Sequence, residues 1–230
     1  SSSAQARETA WTREVLRAWS LTGSCNSQAL RGNCGVAAGV VDLQQQTRTT
    51  EFVYAGNAQK SPPANWEHLM WEIGSNTKTF TATLLQLAVD AGTLSLEQQI
   101  WTLLPPSMEF ADSRVPNITM RQLASHTSGL LRMPDNLHAM NSSTRFNPWF
   151  GYTTADALDF LSRTRLGAWG KTYLYSNFAF GLLGLLLERA HGTPYTQLCT
   201  DKIFQPLGMS RTAIVDKISM PSGQWNQSVA

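Results

Sequence analysis

The chain has 230 residues, a length that suits one large domain or two small ones. Hydrophobic residues make up 42% of it and charged residues 15%, which excludes a charge-rich disordered chain. The net charge of +2 is too small to indicate nucleic acid or an anionic membrane as the main partner. Because no apolar run approaches the roughly 20 residues of a membrane helix, we predict no membrane span.

The predicted elements begin with a helix and a hairpin. Apolar residues at helical spacing predict a first helix over residues 5–20. Residues 36–43 and 50–55 have the composition of two strands joined as a hairpin. Cys25 and Cys34 lie before the first strand in a Gly/Ser/Asn-rich stretch. Two interpretations fit them: a disulfide, which is typical of an exported protein, or two ordinary thiols.

Helices dominate the predictions for the rest of the chain. The strongest pattern predicts a helix over residues 75–91, ended by Gly92. One face of it is predicted to carry four apolar residues: Phe80, Leu84, Leu87 and Ala88. Further helices are predicted over residues 119–124, 153–164, 177–190 and 194–204. Thr153 is the predicted N-cap of the second of these, and Gly192 is predicted to end the third. Cys199 in the last of these is expected to be a buried thiol rather than a reactive one.

A nucleophile is predicted at the start of the 75–91 helix. Ser75 and Lys78 are three positions apart, so a helix brings both side chains to one face. A serine hydroxyl is a weak nucleophile until a base removes its proton, and a lysine of lowered pKa can be that base. The helix N-terminus favours negative charge, and its free N–H groups stabilise an oxyanion. The alternative is a capping serine beside a solvated lysine.

Tyr175 and Asn177 form the second candidate pair. A tyrosine beside an ammonium has a lowered pKa and can pass a proton to a leaving group. The asparagine two positions later can donate to a substrate carbonyl and accept from Lys78. The alternative interpretation is a turn asparagine next to a half-buried tyrosine.

Together with their surroundings, these residues resemble the class C β-lactamase and penicillin-recognising serine hydrolase family. The resemblance covers about residues 10–215, and its motifs follow one another in the family's order. The similar segments are residues 72–81 around Ser75, residues 91–96, residues 118–130 with a His-Thr-Ser-Gly sequence, residues 174–184 around Tyr175, and residues 206–212 with Pro-Leu-Gly-Met.

The resemblance implies a role for each candidate. Ser75 would attack an amide, lactam or ester carbonyl, and its own N–H would supply one oxyanion donor. Lys78 and Tyr175 would handle the proton, and Asn177 would hold the substrate's side-chain amide. Arg132 falls where class C enzymes place a glutamine that contacts the substrate. An arginine at this position would favour an anionic substrate; the alternative is a surface arginine without a role in the site.

The family's His-Thr-Ser-Gly segment has a different implied role. His126 is expected to be a structural residue of a turn packed beneath the site, rather than a general base. A smaller departure from the family is Trp169 before Gly170, where the family usually has Pro-Gly.

The chain also departs from the family after Asn177. No Lys-Thr-Gly or His-x-Gly sequence follows, although the family carries one on a strand that supplies the second oxyanion N–H. Losing one such donor typically costs about 10²–10³ in rate. We therefore expect the front part of the domain, without its C-terminal strands, and expect it to associate with itself or with the missing segment through exposed edges and apolar surface.

These observations predict one α/β (α+β) domain over residues 1–230, C-terminally incomplete, with an antiparallel sheet flanked by helices and an all-helical region. The predicted function is a serine hydrolase that forms an acyl-enzyme on Ser75 with a β-lactam, a D-Ala-D-Ala-type peptide or a small ester. The alternative is a non-catalytic binding or assembly module, or an inactive fragment. We expect no cofactor, no metal and no nucleic acid partner, and a location outside the cytoplasm, either secreted or periplasmic.

Overall fold

The protein's structure is a computed structural model. It describes the backbone of residues 35–40 and 51–56, and describes residues 72–137, 149 and 151–214 in full. The predicted helix over residues 5–20 and the pair Cys25 and Cys34 lie outside these described residues.

The chain divides into two compact units. One comprises residues 1–73 with 217–230, and the other comprises residues 74–216. Whether both belong to one domain over residues 1–230 stays a prediction.

The described part of the first unit is a β-hairpin. Strand β1 (Gly35–Val40) pairs antiparallel with strand β2 (Glu51–Gly56). Gly35 lies opposite Gly56 and Val40 lies opposite Glu51. The predicted hairpin is therefore confirmed, with bounds shifted by one to three residues. The larger sheet with helices on its faces stays a prediction.

Among the described residues of the second unit, the regular elements are helices, apart from one isolated bridge between Gln99 and Thr119. Its helices are α1 (Thr77–Asp90), α2 (Met120–Ala124), α3 (Thr154–Arg163), α4 (Asn177–His191) and α5 (Tyr195–Cys199). A π-helical turn, Thr200–Phe204, continues α5. The predicted all-helical region is confirmed. No helix of the described residues has the length and apolar character needed to cross a membrane.

Local capping explains where two of these helices begin. The side chain of Thr153 accepts from the backbone N–H of Asp156, and the Asp156 side chain accepts from the backbone N–H of Thr153. Thr119 and Gln122 make the same reciprocal pair at the start of α2. Such capping boxes satisfy N–H groups that lack a partner within the helix. The predicted cap at Thr153 is confirmed.

The buried face of α1 differs from the predicted one. Its buried residues are Thr81, Leu84, Leu85 and Ala88. Leu87 is 40% exposed, because at 3.6 residues per turn it lies about 60° beyond Leu84, outside the buried arc. The prediction that Leu87 belongs to the core face was wrong.

Helix α4 is the central element of the helical unit, and most of its circumference is apolar. Its buried residues are Phe178, Ala179, Phe180, Leu182, Leu183, Gly184, Leu186 and Leu187. Helices α1, α2 and α5 pack against it. The ring of Phe178 also meets Phe160 of α3 edge to face, with centroids 4.7 Å apart. Because its first residue is Asn177, this packing fixes the position of the second candidate pair, Tyr175 and Asn177.

Candidate active site

Ser75 lies in the tight turn that leads into α1. The turn is a 3₁₀ segment, Gly74–Asn76, and Gly74 has a φ of 50°, in the left-handed region that glycine adopts without a steric cost. Helix α1 starts at Thr77, so Lys78 follows in its first turn on the same side as Ser75.

The structure brings four of the predicted site residues together. The Ser75 hydroxyl lies 2.7 Å from the Tyr175 hydroxyl. The Lys78 ammonium donates to Ser75 Oγ at 3.1 Å and to Asn177 Oδ1 at 2.8 Å. Because 100 positions separate Ser75 from Tyr175, this cluster is a product of the tertiary fold rather than of one local turn.

The alternative interpretations of Ser75 and Lys78 do not fit this geometry. Asn76 is the N-cap residue of α1, and no side chain caps the helix. Ser75 is therefore not the capping residue of α1. Its hydroxyl contacts Tyr175 and Lys78 instead. Lys78 is partly buried and uses its ammonium within the cluster. The uncapped helix N-terminus leaves N–H groups beside the nucleophile, where they favour developing negative charge.

The proton-carrying group best placed for Ser75 is the phenol of Tyr175. Its pKa is lowered, first by the Lys78 ammonium and next by the hydrogen bond to Ser75. Lys78 donates to Ser75 Oγ, so the proton of that hydroxyl is free to point toward the Tyr175 oxygen. The arrangement allows the serine proton to pass to Tyr175 while Lys78 donates to Ser75 Oγ.

Arg132 is exposed and lies at the edge of the same cluster. Its guanidinium carbon is 4.9 Å from the centroid of the Tyr175 ring. Its backbone carbonyl accepts from the backbone N–H of Asn177 at 2.9 Å. Within the part of the chain that the structure describes, the Arg132 side chain forms no ion pair. The cation is therefore close to the reacting groups and is not neutralised by a described carboxylate.

His126 lies beneath Tyr175 and not beside the Ser75 hydroxyl. It is 8% exposed, and its ring centroid is 4.5 Å from that of Tyr175. Burial, followed by the charge of Lys78, lowers its pKa. The position agrees with the expected structural role, because the imidazole has no hydrogen bond to Ser75.

Two further residues contact the cluster, and sequence analysis did not identify them. Met133 Sδ accepts from the side-chain amide of Asn177 at 3.4 Å. The Asn177 N–H group that is predicted to donate to a substrate carbonyl therefore donates to a weak acceptor, the thioether sulfur. The ring of Phe180 lies 5.7 Å from the Lys78 ammonium. The spacing of Phe180, three positions after Asn177 on α4, was the available signal, since such residues share a helix face.

A cavity of about 720 Å³ opens beside these side chains. Ser75, Lys78 and Asn177 line it. Thr81 and Tyr195, whose hydroxyls lie 2.7 Å apart, line it as well. Its size is that of a pocket for a small molecule or a short peptide segment.

Cys199 and the Trp169–Gly170 pair lie outside the cluster. Cys199 is fully buried, and burial raises the pKa of its thiol, which confirms the predicted inert thiol. Gly170 donates its N–H to the carbonyl of Thr127 at 2.8 Å, and Trp169 donates to Gln122 Oε1 at 3.3 Å. The departure at Trp169 is thus accommodated against α2 and does not touch the reacting groups.

Comparison with known proteins decides the family. The family model described as Beta-lactamase matches residues 27–228. This chain belongs to the Beta-lactamase family. The expected resemblance is confirmed by that match.

This chain matches only part of the length of its named relatives. D-alanyl-D-alanine-carboxypeptidase/endopeptidase AmpH of Escherichia coli K12 is 35% identical over 142 residues, which is 61% of this chain and 35% of that protein. Penicillin-binding protein 4* of Bacillus subtilis strain 168 is 28% identical over 176 residues, 74% of this chain and 36% of that protein. The chain thus spans about a third of the length of these two relatives.

Solved structures support the β-lactamase-type fold. A β-lactamase/D-alanine carboxypeptidase from Yersinia pestis, complexed with citrate, superposes with a TM-score of 0.69 at 26% identity, over 86% of this chain and 54% of that one. A class C β-lactamase from Rhodobacter sphaeroides gives a TM-score of 0.58 at 25% identity, over 84% of this chain and 49% of that one.

Proposed function

We propose that this chain carries the nucleophile site of a serine hydrolase of the β-lactamase and penicillin-binding-protein type. The observation that carries the proposal is the contact of Ser75 Oγ with both Tyr175 and Lys78, at 2.7 and 3.1 Å. A serine with a base and a cation within hydrogen-bond reach is the general signature of an activated nucleophile.

In the proposed acylation, Ser75 Oγ attacks the substrate carbonyl carbon while its proton moves to the Tyr175 oxygen. The new oxyanion is held by N–H groups at the start of α1, among them that of Ser75. Tyr175 then gives the proton to the leaving nitrogen or oxygen, and the bond from the carbonyl carbon to the leaving group breaks. The Lys78 ammonium, 4.9 Å from the centroid of the Tyr175 ring, stabilises the phenolate.

The proposed substrates are β-lactams, D-Ala-D-Ala-type peptides or small esters with an anionic group. Asn177 lines the cavity, where its amide would exchange Met133 for a substrate carbonyl, a stronger acceptor than a thioether. Arg132 supplies a cation near Tyr175, which suits a substrate carboxylate. The relatives named as D-alanyl-D-alanine carboxypeptidases support the peptide class. A location outside the cytoplasm is part of the same proposal.

Turnover assays on the full chain test this proposal. A nitrophenyl ester, a penicillin and a peptide ending in D-Ala-D-Ala would be compared between the wild-type chain, Ser75→Ala, and Ser107→Ala, which changes an exposed serine away from the cluster. We expect hydrolysis of at least one substrate that Ser75→Ala abolishes and Ser107→Ala preserves. Hydrolysis that survives in Ser75→Ala would refute the proposal.

The second candidate function is a binding or assembly module that keeps the site without turnover. A covalent adduct on Ser75 that forms and then persists without product would support this second function.

A further inference from the structure

One residue holds the backbone on both sides of Tyr175. The carbonyl of His126 accepts from the backbone N–H of Leu174 at 2.8 Å. Nδ1 of the His126 ring accepts from the backbone N–H of Ser176 at 3.1 Å. The two bonds flank Tyr175 directly, so the position of its phenol depends on both.

The imidazole also supports the Tyr175 ring from below. The two ring centroids are 4.5 Å apart and the rings are inclined by 34°. Phe180 and Tyr173 contact the imidazole from other sides, at 4.9 and 5.6 Å. His126 itself has a φ of 59°, a left-handed conformation that is uncommon for residues other than glycine, asparagine and aspartate.

The Ser176 contact defines the protonation state of His126. A ring nitrogen that accepts a hydrogen bond carries no proton, whereas both nitrogens of a protonated imidazole are donors. The bond to Ser176 therefore requires a neutral imidazole with its proton on Nε2. A proton added to Nδ1 would point at the Ser176 N–H and break the contact.

The surrounding charges also oppose protonation. The ammonium of Lys78 and the guanidinium of Arg132 each lie 4.9 Å from the Tyr175 ring. The titratable groups that face His126 are Lys78 of α1 and Tyr173 and Tyr175 of the segment leading into α4. None of them is a carboxylate, so an imidazolium would add a third cation around one phenol.

We propose that His126 is a positioning residue, which holds Tyr175 against Ser75 only while its imidazole is neutral. The inference rests on the proposed function, because it concerns the group that takes the Ser75 proton. Protonation of His126 in acid would break its contact with the Ser176 N–H and let the phenol of Tyr175 shift away from Ser75. The Ser176 hydroxyl, which donates to the Leu131 carbonyl at 2.6 Å, would still hold that side of the backbone. The site would then lose acylation in mild acid by a route that does not involve protonation of Tyr175 itself.

Three variants separate this role from general packing. His126→Asn keeps an acceptor atom close to the Nδ1 position, tolerates the left-handed backbone, and does not titrate. His126→Ala removes the acceptor and the ring. His191→Asn removes a histidine at the end of α4, which does not line the cavity or contact the cluster.

The first measurement is the rate at which a fluorophosphonate phosphonylates Ser75, with loss of fluoride, between pH 5 and 8. At pH 8 we expect His126→Ala to fall at least about tenfold, since a small displacement of a catalytic group has a large effect on rate, and His126→Asn to recover most of that loss. Toward pH 5 we expect the rate of the wild type and of His191→Asn to fall more steeply than that of His126→Asn. Equal rates in wild type and His126→Ala, or equal pH profiles in wild type and His126→Asn, would overturn the proposal.

Two measurements without catalysis complete the test. Long-range ¹H–¹⁵N spectra, with the His126 signals identified by their loss in His126→Asn, should show a neutral ring protonated at Nε2 at pH 7. The unfolding midpoint should fall from pH 7 to pH 5 more in wild type than in His126→Asn, because a folded-state pKa below the ordinary value of about 6.5 makes stability decrease as pH falls. An imidazolium, or a proton on Nδ1, at pH 7 would overturn the proposal. A wild type that is not acylated at all would instead refute the proposed function, and these two measurements would still decide the state of His126.

Discussion

Tyr175 is contacted by one hydroxyl and two cations of the proposed site. Its hydroxyl meets Ser75, and its ring meets the cations of Lys78 and Arg132. Cations near a phenol stabilise the phenolate, which is why its pKa is lowered. Tyr175, rather than Lys78, is therefore the group to vary in a test of the proton-transfer step.

The Tyr175 account predicts the direction of the pH dependence. The active form is the phenolate, so the acylation rate of the wild type should rise with pH and level off below the ordinary tyrosine pKa of about 10. Tyr175→Phe should lose this rising limb and fall by roughly 10²–10³ in rate, because it removes a general base. Stopped-flow acylation by an activated ester from pH 6 to 10 measures both effects. A Tyr175→Phe rate within threefold of wild type would contradict the assignment.

Arg132 is predicted to set substrate charge preference. Arg132→Ala should lower the ratio of kcat/KM for a carboxylate-bearing ester to that for its neutral analogue by about tenfold, or about 1.4 kcal/mol. The ratio is informative because any effect of Arg132 on Tyr175 alters both substrates alike. Arg165→Ala changes an exposed arginine away from the cluster and should leave the ratio unchanged. An unchanged ratio in Arg132→Ala would make Arg132 a surface residue.

Individual site residues could be predicted from the sequence to different extents. Ser75 and Lys78 were predictable because their approach depends only on helical spacing. Their contacts with Tyr175 and Asn177 needed the family resemblance, since 100 and 99 positions separate the partners. Met133 was not predicted, because its contact with Asn177 depends on how the segment after Arg132 folds back on α4.

At the scale of elements, Asp112 joins two segments that carry no regular structure. Its carboxylate accepts from the Arg114 guanidinium at 2.7 and 3.0 Å and from the backbone N–H of Leu166 at 3.0 Å. The side chain is 9% exposed. The hydrogen bond from Arg114 has the largest effect and lowers the pKa of this carboxyl. Burial raises the pKa, but the hydrogen bond from the Leu166 backbone lowers it again, so the pKa lies far below its usual range.

Asp112→Asn should therefore destabilise the folded chain by about 1–3 kcal/mol at pH 7. Because the folded-state pKa of Asp112 is depressed, its contribution is present above the unfolded pKa of about 3.9 and decreases as pH falls toward the folded value. The difference in unfolding free energy between wild type and Asp112→Asn should thus shrink below about pH 4. Urea titrations at pH 7 and pH 3 measure it. Glu109→Gln, at an exposed carboxylate, serves as the control, and a loss at pH 7 no larger than its own would contradict the account.

The ends of helices could be predicted from the sequence where a capping residue or a glycine marks them. Thr153 capped α3 as predicted, and Gly192 ended α4 with a φ of 62°. The core face of α1 was less predictable, because apolar residues cover more of its circumference than its neighbours bury. Which of Leu84 and Leu87 is covered depends on the tertiary position of α4.

At the scale of the whole molecule, the described helical unit contains every residue of the proposed site. Ser75, Arg132 and Asn177 all lie within residues 74–216. The fold family was predictable because several motifs occur in one order, and that prediction is confirmed by the family match. The complete sheet and self-association stay predictions, since the sequence pattern of one hairpin does not determine how further strands are added.

The measurement that tests the central claim most directly is intact-mass spectrometry of the 230-residue chain after incubation with a penicillin and, separately, with a fluorophosphonate. The account predicts one stoichiometric adduct, mapped to Ser75 by peptide digestion, retained in Ser107→Ala and absent in Ser75→Ala. Circular dichroism of each sample would establish that the chain is folded. A folded wild-type chain that forms no adduct with either reagent, or an adduct that persists in Ser75→Ala, would contradict the claim that the Ser75, Lys78 and Tyr175 cluster is an activated nucleophile.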